Sequence, residues 1–124
     1  MQKDLKIENT KTTPGVDFSY ESGKCLIQGE SYPEDSFEFF NPLRAWIKER
    51  INEKKPLELS FRMIYFNTSS SKAIMDILDD LQEYYKNGGN VKVNWYFEKG
   101  DEDIEVTGKE MFMDITLPYE IKSF

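Results

Sequence analysis

Four consecutive hydroxyl side chains are the feature of this sequence best suited to chemistry. They are Thr68, Ser69, Ser70 and Ser71, in the segment YFNTSSSK, and a helical pattern of apolar residues begins directly after them. Side-chain oxygens of Asn, Ser and Thr cap helices by accepting a hydrogen bond from an unpaired backbone N–H. One such residue is enough for a cap, so the run is longer than capping requires.

A second interpretation of the hydroxyl run is covalent modification. In α/β sheets the loop after the carboxyl end of a strand is the usual functional edge, and a helix N-terminus at that edge favours negative charge. A phosphoryl group would add about −1.5 to −2 charge at neutral pH. The residues alone leave both interpretations open: a cap in a constitutive adaptor, or a phosphorylation site.

Two acidic segments support a competing hypothesis, a metal-dependent module. GESYPED contains Glu30, Glu34 and Asp35, and GDEDIE contains Asp101–Asp103. Carboxylates of this kind bind Mg²⁺ or Ca²⁺, but neither segment has the spacing of an EF-hand loop. The alternative is solvated loops whose acids complement helix N-termini. We predict no metal site and no cofactor.

The chain contains no histidine, so the commonest general base and a common metal ligand are missing. Its one cysteine, Cys25, lies in the strand-like segment KCLIQ, where a packed thiol is expected rather than a nucleophile. A lone cysteine suits a reducing compartment. We therefore predict that the protein is not an enzyme.

Composition limits the class of protein further. A length of 124 residues with 39% hydrophobic side chains fits one domain spanning residues 1–124. The net charge of −7 disfavours nucleic acid and anionic lipid as partners. No apolar run is long enough to span a membrane, and the N-terminus does not resemble a signal peptide. We expect a cytoplasmic protein.

Apolar patterns predict an α/β domain with an N-terminal β-hairpin, a mixed sheet and about three helices. Alternation predicts the hairpin from residues 16–20 and 25–29, after a short strand near residues 5–8. Residues 57–66 predict a central strand, with Tyr65 on the face of Leu57. Residues 91–97 predict another strand, and the last residues predict a short one. Strands that alternate with helices favour parallel pairs and right-handed crossovers.

Helix boundaries are predicted from capping signals. The first helix starts either at Asp35 or Ser36, with a bend at Pro42, or at Asn41 with Pro42 in the first helical position. The second follows the hydroxyl run and ends at the cap signal KNGGN. The third extends from Ile104 to Ile115 by its spacing, and Gly108 within it indicates close packing or a break.

Several motifs in one order resemble the SiaC family of bacterial regulatory phosphoproteins. The matching segments are TTPGV (12–16), GESYPED (29–35), FFNPL (39–43), YFNTSSSK (65–72), VNWYFE (93–98) and DED (101–103). The resemblance implies a STAS-like fold, distantly similar to the anti-sigma factor antagonists. Those carry an Asp-Ser-Ser-Gly turn, whereas here Asn67 takes the place of the aspartate and Lys72 follows the serines. The likeness to the antagonists is therefore one of topology.

The resemblance also implies a partner-switching function. A Ser/Thr protein kinase would phosphorylate the protein and a PP2C-type phosphatase would reverse the modification. The unphosphorylated form would bind and activate an effector, in this family a diguanylate cyclase. By position the phosphoacceptor is Thr68, and Ser69 is the next candidate. The predicted partner-binding residues are Tyr32, Pro33, Glu34, Asp35, Asn67, Ser70, Ser71 and Lys72.

Overall fold

The structure, a computed structural model, describes residues 3–124. Nine elements follow one another along the chain: β1 (Leu5–Ile7), β2 (Gly15–Phe18), β3 (Lys24–Ser31), α1 (Ser36–Asn52), β4 (Leu57–Phe66), α2 (Thr68–Lys86), β5 (Val91–Phe97), α3 (Glu102–Met111) and β6 (Tyr119–Ser123). The predicted α/β class, the N-terminal hairpin and the three helices are confirmed.

All six strands form one mixed sheet in the order β1-β2-β3-β4-β5-β6. β1, β2 and β3 pair antiparallel, and β3, β4, β5 and β6 pair parallel. One helix connects each parallel strand to the next. Each parallel connection steps to the next strand in the same direction. Right-handed crossovers therefore place all three helices on one face of the sheet.

The core lies between that face and the helices. The alternating side chains of β4 from Leu57 to Met63 are buried, while those between them are half-exposed. Phe61 pairs with Trp95 of β5 in the register and their rings lie 5.5 Å apart. β4 is the central strand that the sequence predicted, but the sheet face away from the helices is not covered by them.

The first helix begins early and continues through its proline. The side chain of Asp35 caps it by accepting a hydrogen bond from the backbone N–H of Glu38 at 3.0 Å. Pro42 lies inside α1 and is exposed, so its missing N–H removes one hydrogen bond from the helix. The alternative start at Asn41 is wrong, because the helix already begins at Ser36 with Asp35 as its cap.

The third helix is shorter than its apolar spacing predicts. It ends at Met111, and the following loop is held to α2 by Gln82. The side-chain oxygen of Gln82 accepts hydrogen bonds from the backbone N–H groups of Thr116 and Leu117, both at 3.0 Å. Ile115 therefore lies in a loop, where it still packs against the core.

The structure shows why glycine occurs at position 88, after α2, and at position 108, within α3. Gly88 has a φ of 92° directly after α2, as the predicted left-handed cap requires. A Cβ at Gly108 would lie 2.5 Å from the Trp95 side chain, so this glycine provides close packing. No helix described within residues 3–124 combines the length and apolarity needed to cross a membrane.

Candidate functional site

The end of β4 is shaped by a β-bulge. Gly29 pairs with Met63 and Glu30 with Tyr65, so Ile64 is an extra residue in β4. A bulge changes which face the following side chains take. Phe66 accordingly packs against the core.

The predicted placement of Tyr65 is therefore wrong. Phe66 contacts the ring of Trp95 at 5.9 Å, on the buried face. Tyr65 is half-exposed instead and meets Tyr32 edge to face at 5.9 Å. The bulge thus brings the end of β4 into contact with the loop that follows β3.

Asn67 is the cap of α2. Its backbone is extended, and its side-chain oxygen accepts a hydrogen bond from the N–H of Ser70 at 2.9 Å. Its own N–H donates to the carbonyl of Ser31 at 3.0 Å. Asn67 thus caps the helix with its side chain and ties it to the end of β3 with its backbone N–H, so none of the four hydroxyls is needed as the cap.

Two of the three serines that follow are held in a hydrogen-bonded hydroxyl cluster. Ser70 is fully buried, and its Oγ donates to the carbonyl of Ser31 at 3.1 Å and lies 2.8 Å from the Ser31 Oγ. Ser69 lies 2.7 Å from the hydroxyl of Ser36, in the first turn of α1, and donates to Asn67 Oδ1 at 3.2 Å. The cluster joins β3, α1 and α2.

Thr68 differs from these serines. It occupies the first position of α2 and is exposed, and within residues 3–124 its hydroxyl has no hydrogen-bond partner. Its backbone N–H belongs to the first turn, where helices lack internal acceptors. Thr68 therefore offers both a free hydroxyl and a local environment that favours an added negative charge.

The loop after β3 lies beside this helix start. Tyr32 and Pro33 are half-buried, whereas Glu34 and Asp35 are exposed. The N–H of Tyr32 is anchored to the carbonyl of Thr12 at 2.8 Å. Because β3 and β4 are adjacent parallel strands, their carboxyl ends bring this loop and the Asn67 turn to one edge of the sheet.

The structure thus brings most of the predicted partner-binding residues together. The acceptor surface consists of the accessible members of that set and the two candidate phosphoacceptors. The accessible members are Tyr32, Pro33, Glu34, Asp35, Asn67, Ser71 and Lys72, and the candidate phosphoacceptors are Thr68 and Ser69. Ser70 is corrected: its side chain is fully buried beneath this surface and cannot contact a partner. Its buried position follows from the helical period, which places Ser70 on the same buried face of α2 as Ile74 and Ile77.

Sequence reasoning missed two residues next to the site. Ser36 is buried between the helix starts and holds Ser69, although nothing in the sequence links positions 33 residues apart. Phe37, which follows it in the first turn of α1, is 74% exposed. A large aromatic side chain with that exposure is suited to contact a partner. The segment SFEFF contains three phenylalanines, and its sequence alone does not show which of them is exposed.

The competing metal hypothesis gains no support from the fold. Asp35 and Asp101 cap α1 and α3 by accepting backbone hydrogen bonds. Across residues 3–124, no three Asp, Glu or Cys side chains converge where they could hold a metal ion. Cys25 is buried, and burial raises the pKa of its thiol to about 12, which opposes a role as nucleophile.

Comparisons with known proteins agree on one family. The model of the SiaC family regulatory phosphoproteins matches residues 7–124. An uncharacterized protein of Pseudomonas aeruginosa strain UCBPP-PA14 is 36% identical over 121 residues, covering 97% of this chain and 96% of that protein.

Solved structures give the same result. The crystal structure of apo-SiaC from Pseudomonas aeruginosa matches with a TM-score of 0.92 and 35% identity, covering 98% of this chain and 99% of that one. SiaC in a crystal structure of the diguanylate cyclase SiaD in complex with its activator SiaC, from the same organism, matches with a TM-score of 0.94 and 36% identity. That match covers 98% of this chain and all of the other.

Proposed function

This chain belongs to the SiaC family of regulatory phosphoproteins, and from that membership we propose that it is a non-catalytic signalling protein switched by phosphorylation of Thr68. The observation that supports this site is the contrast within the hydroxyl run. Thr68 is exposed with a free hydroxyl, Ser69 is hydrogen-bonded, and Ser70 is buried. A kinase reaches Thr68 without breaking the hydroxyl cluster.

The proposed effector is a diguanylate cyclase, bound and activated by the unphosphorylated form. The support is the relative of 36% identity whose structure was solved in complex with the diguanylate cyclase SiaD as its activator. The proposed docking region is the acceptor surface together with Phe37. Exposed apolar side chains such as Phe37 and Tyr65 supply contact area there.

The proposed regulators are a Ser/Thr protein kinase and a PP2C-type phosphatase. A threonine hydroxyl at an exposed helix start is a substrate for the first, and the phosphothreonine formed there is equally exposed to the second. The proposed compartment is the cytoplasm, where ATP is available to the kinase. The buried, protonated thiol of Cys25 is compatible with that setting.

Electrostatics and hydration give the switch its physical basis. Phosphorylation adds about −1.5 to −2 charge at the same end of the sheet as Glu34 and Asp35, on a protein that already has a net charge of −7. Burying that charge in an interface is costly, and an exposed cation of the same helix, Lys72, compensates only part of that cost. Shifting an equilibrium from 1:99 to 99:1 needs roughly 5.5 kcal/mol of differential binding, and a desolvated phosphate supplies energies of this order.

Substitution at Thr68 tests the proposal. Thr68→Ala removes the acceptor and should keep cyclase binding and activation. Thr68→Asp adds a charge that cannot be desolvated cheaply and should weaken binding at least about tenfold, or about 1.4 kcal/mol. Calorimetric titration with the cyclase measures both, and cyclase turnover gives a second readout.

The matched control places the same charge elsewhere. Ser22→Asp changes an exposed turn residue before β3, at the edge of the sheet opposite Thr68, where an Asp keeps the hydrogen bond that the Ser22 hydroxyl accepts from the N–H of Lys24. This variant should bind like the unmodified protein. Equal binding by Thr68→Ala and Thr68→Asp would show that Thr68 is not the switch.

A further inference from the structure

The two helix starts at the candidate site are joined through the hydroxyl of Ser36, whose shorter contact is with Ser69 and whose longer contact, at 3.3 Å, is with Ser70. Ser36, in the first turn of α1, is 5% exposed, and its Oγ lies 2.7 Å from that of Ser69 in the first turn of α2. Ser69 also donates its single hydroxyl proton to Asn67 Oδ1 at 3.2 Å. Because that proton is used, Ser36 is the donor in the contact between the two serines.

The Ser69 hydroxyl therefore donates one hydrogen bond and accepts another. In phosphoryl transfer the hydroxyl oxygen bonds to the γ-phosphorus of ATP as the bond to ADP breaks, and the hydroxyl proton passes to a base of the kinase. The Ser69 proton is held by Asn67, and an oxygen lone pair is held by Ser36. The neighbouring Thr68 hydroxyl has neither restraint within residues 3–124.

We propose that Ser36 is a positioning residue that restricts phosphorylation to Thr68, by holding the Ser69 hydroxyl against α1. This inference rests on the proposed function and deepens it, since it assigns the choice of acceptor to a residue of a different helix. Ser69 is itself exposed, so exposure does not explain the choice. The restraint comes from the hydrogen bonds that Ser69 must break before it can enter a kinase cleft.

The expected discrimination follows from the strength of such bonds. A net hydrogen bond between neutral groups contributes about 0.5–1.5 kcal/mol, and each 1.4 kcal/mol corresponds to a factor of ten. Loss of the Ser36 contact should therefore raise phosphorylation of Ser69 by up to about tenfold. The effect is best seen where Thr68 cannot compete.

The test uses variants purified from the native host. Trypsin releases residues 63–72, MIYFNTSSSK, so one peptide carries all four hydroxyls. Fragmentation mass spectrometry then assigns the phosphate to a residue. Thr68→Val should remove nearly all of it. Thr68→Val combined with Ser36→Ala should restore phosphate, on Ser69, severalfold to tenfold above Thr68→Val alone.

A matched control separates positioning from general loosening. Ser31 belongs to the same cluster and is fully buried, but it contacts Ser70 rather than Ser69. Thr68→Val with Ser31→Ala removes a buried hydroxyl and should leave Ser69 unmodified. Two results would overturn the inference. One is that Thr68→Val with Ser36→Ala carries no more phosphate on Ser69 than Thr68→Val alone. The other is that Ser31→Ala raises phosphate on Ser69 as much as Ser36→Ala does.

The same experiment distinguishes an error in the role of Ser36 from an error in the proposed function. Phosphate on Thr68 of the unsubstituted protein supports the switch, so an unchanged double variant then overturns only the role of Ser36. An unsubstituted protein that carries no phosphate on Thr68 overturns the proposed function and this inference with it.

Discussion

Lys72 lies one helical turn after Thr68, on the same face of α2. In the unphosphorylated protein its ammonium pairs with Asp76 at 3.5 Å, one turn further along, while the side chain stays 79% exposed. An acid that precedes a lysine by four residues pairs better than one that follows it. A phosphate on Thr68 therefore competes favourably with Asp76 for the ammonium group of Lys72.

This competition predicts a shift in the phosphate's own titration. With phosphothreonine introduced at position 68, Lys72→Met should raise the second pKa of the phosphate by about 0.2–0.4 units. The direction follows because a cation favours the dianion, and the size follows from the energy of such helical pairs. Phosphorus NMR over pH 4–8 measures it.

Lys86→Met is the matched control for this titration. Lys86 is exposed in the last turn of the same helix and too distant from Thr68 to affect the phosphate. An equal shift in both variants would show that net charge, rather than contact with Lys72, sets the pKa of the phosphate.

Among single residues, the sequence indicated Thr68 as the phosphoacceptor but did not indicate why Thr68 rather than Ser69 would be modified. The motif resemblance selected Thr68, and capping physics showed only that the hydroxyl run was too long. The restraint on Ser69 depends on Ser36, whose contact arises because β3 and β4 are adjacent parallel strands. Contacts between residues distant along the chain do not follow from local patterns.

Among the elements, α3 packs closely on the sheet because Gly108 has no side chain. Gly108 is buried against Trp95, and the indole N–H of Trp95 donates to the carbonyl of Ile104 in the same helix at 3.0 Å. Alanine is favoured over glycine in a helix by about 1 kcal/mol. Here the added Cβ would meet the indole ring at 2.5 Å, so packing opposes propensity.

Gly108→Ala should therefore destabilise the protein by about 1–3 kcal/mol, the usual cost of overpacking. Urea unfolding followed by Trp fluorescence measures the change. Glu110→Ala, at an exposed position of the same helix, should have little effect. A Gly108→Ala variant as stable as the parent would show that α3 shifts freely.

Element boundaries were predictable where a cap gave a local signal. The end of α2 at Asn87 and Gly88 followed from KNGGN alone. The end of α3 did not, because Gln82 fixes the following loop from a different helix. Tyr65 was misplaced for a similar reason: the bulge at Ile64 is a property of the pairing of β4 with β3, which the sequence of β4 does not reveal.

For the whole molecule, burial of Cys25 links stability to alkaline pH. Burial raises the pKa of this thiol from 9.0 to about 12, with a smaller opposing effect from Arg50. The unfolded chain therefore ionises first as the pH rises above 9. The contribution of Cys25 to stability is complete below pH 9 and is lost as the pH approaches 12.

Cys25→Ala should consequently flatten the alkaline decline. Between pH 9 and 11 the free energy of unfolding of the parent should fall more steeply than that of the variant, by up to about 1.4 kcal/mol per pH unit. Below pH 8 the two curves should run parallel, offset by the packing lost with the thiol. Identical slopes above pH 9 would contradict a buried, protonated Cys25.

The strand order of the sheet has a consequence for biosynthesis. Spatial order and chain order are identical, from β1 at one edge to β6 at the other. No strand has to insert between two that are already paired. During translation, each newly emerged strand can therefore dock on the open edge left by the one before it, and its helix can cover the apolar face in the same step. The chain can assemble from its N-terminus with only one growing edge exposed at a time.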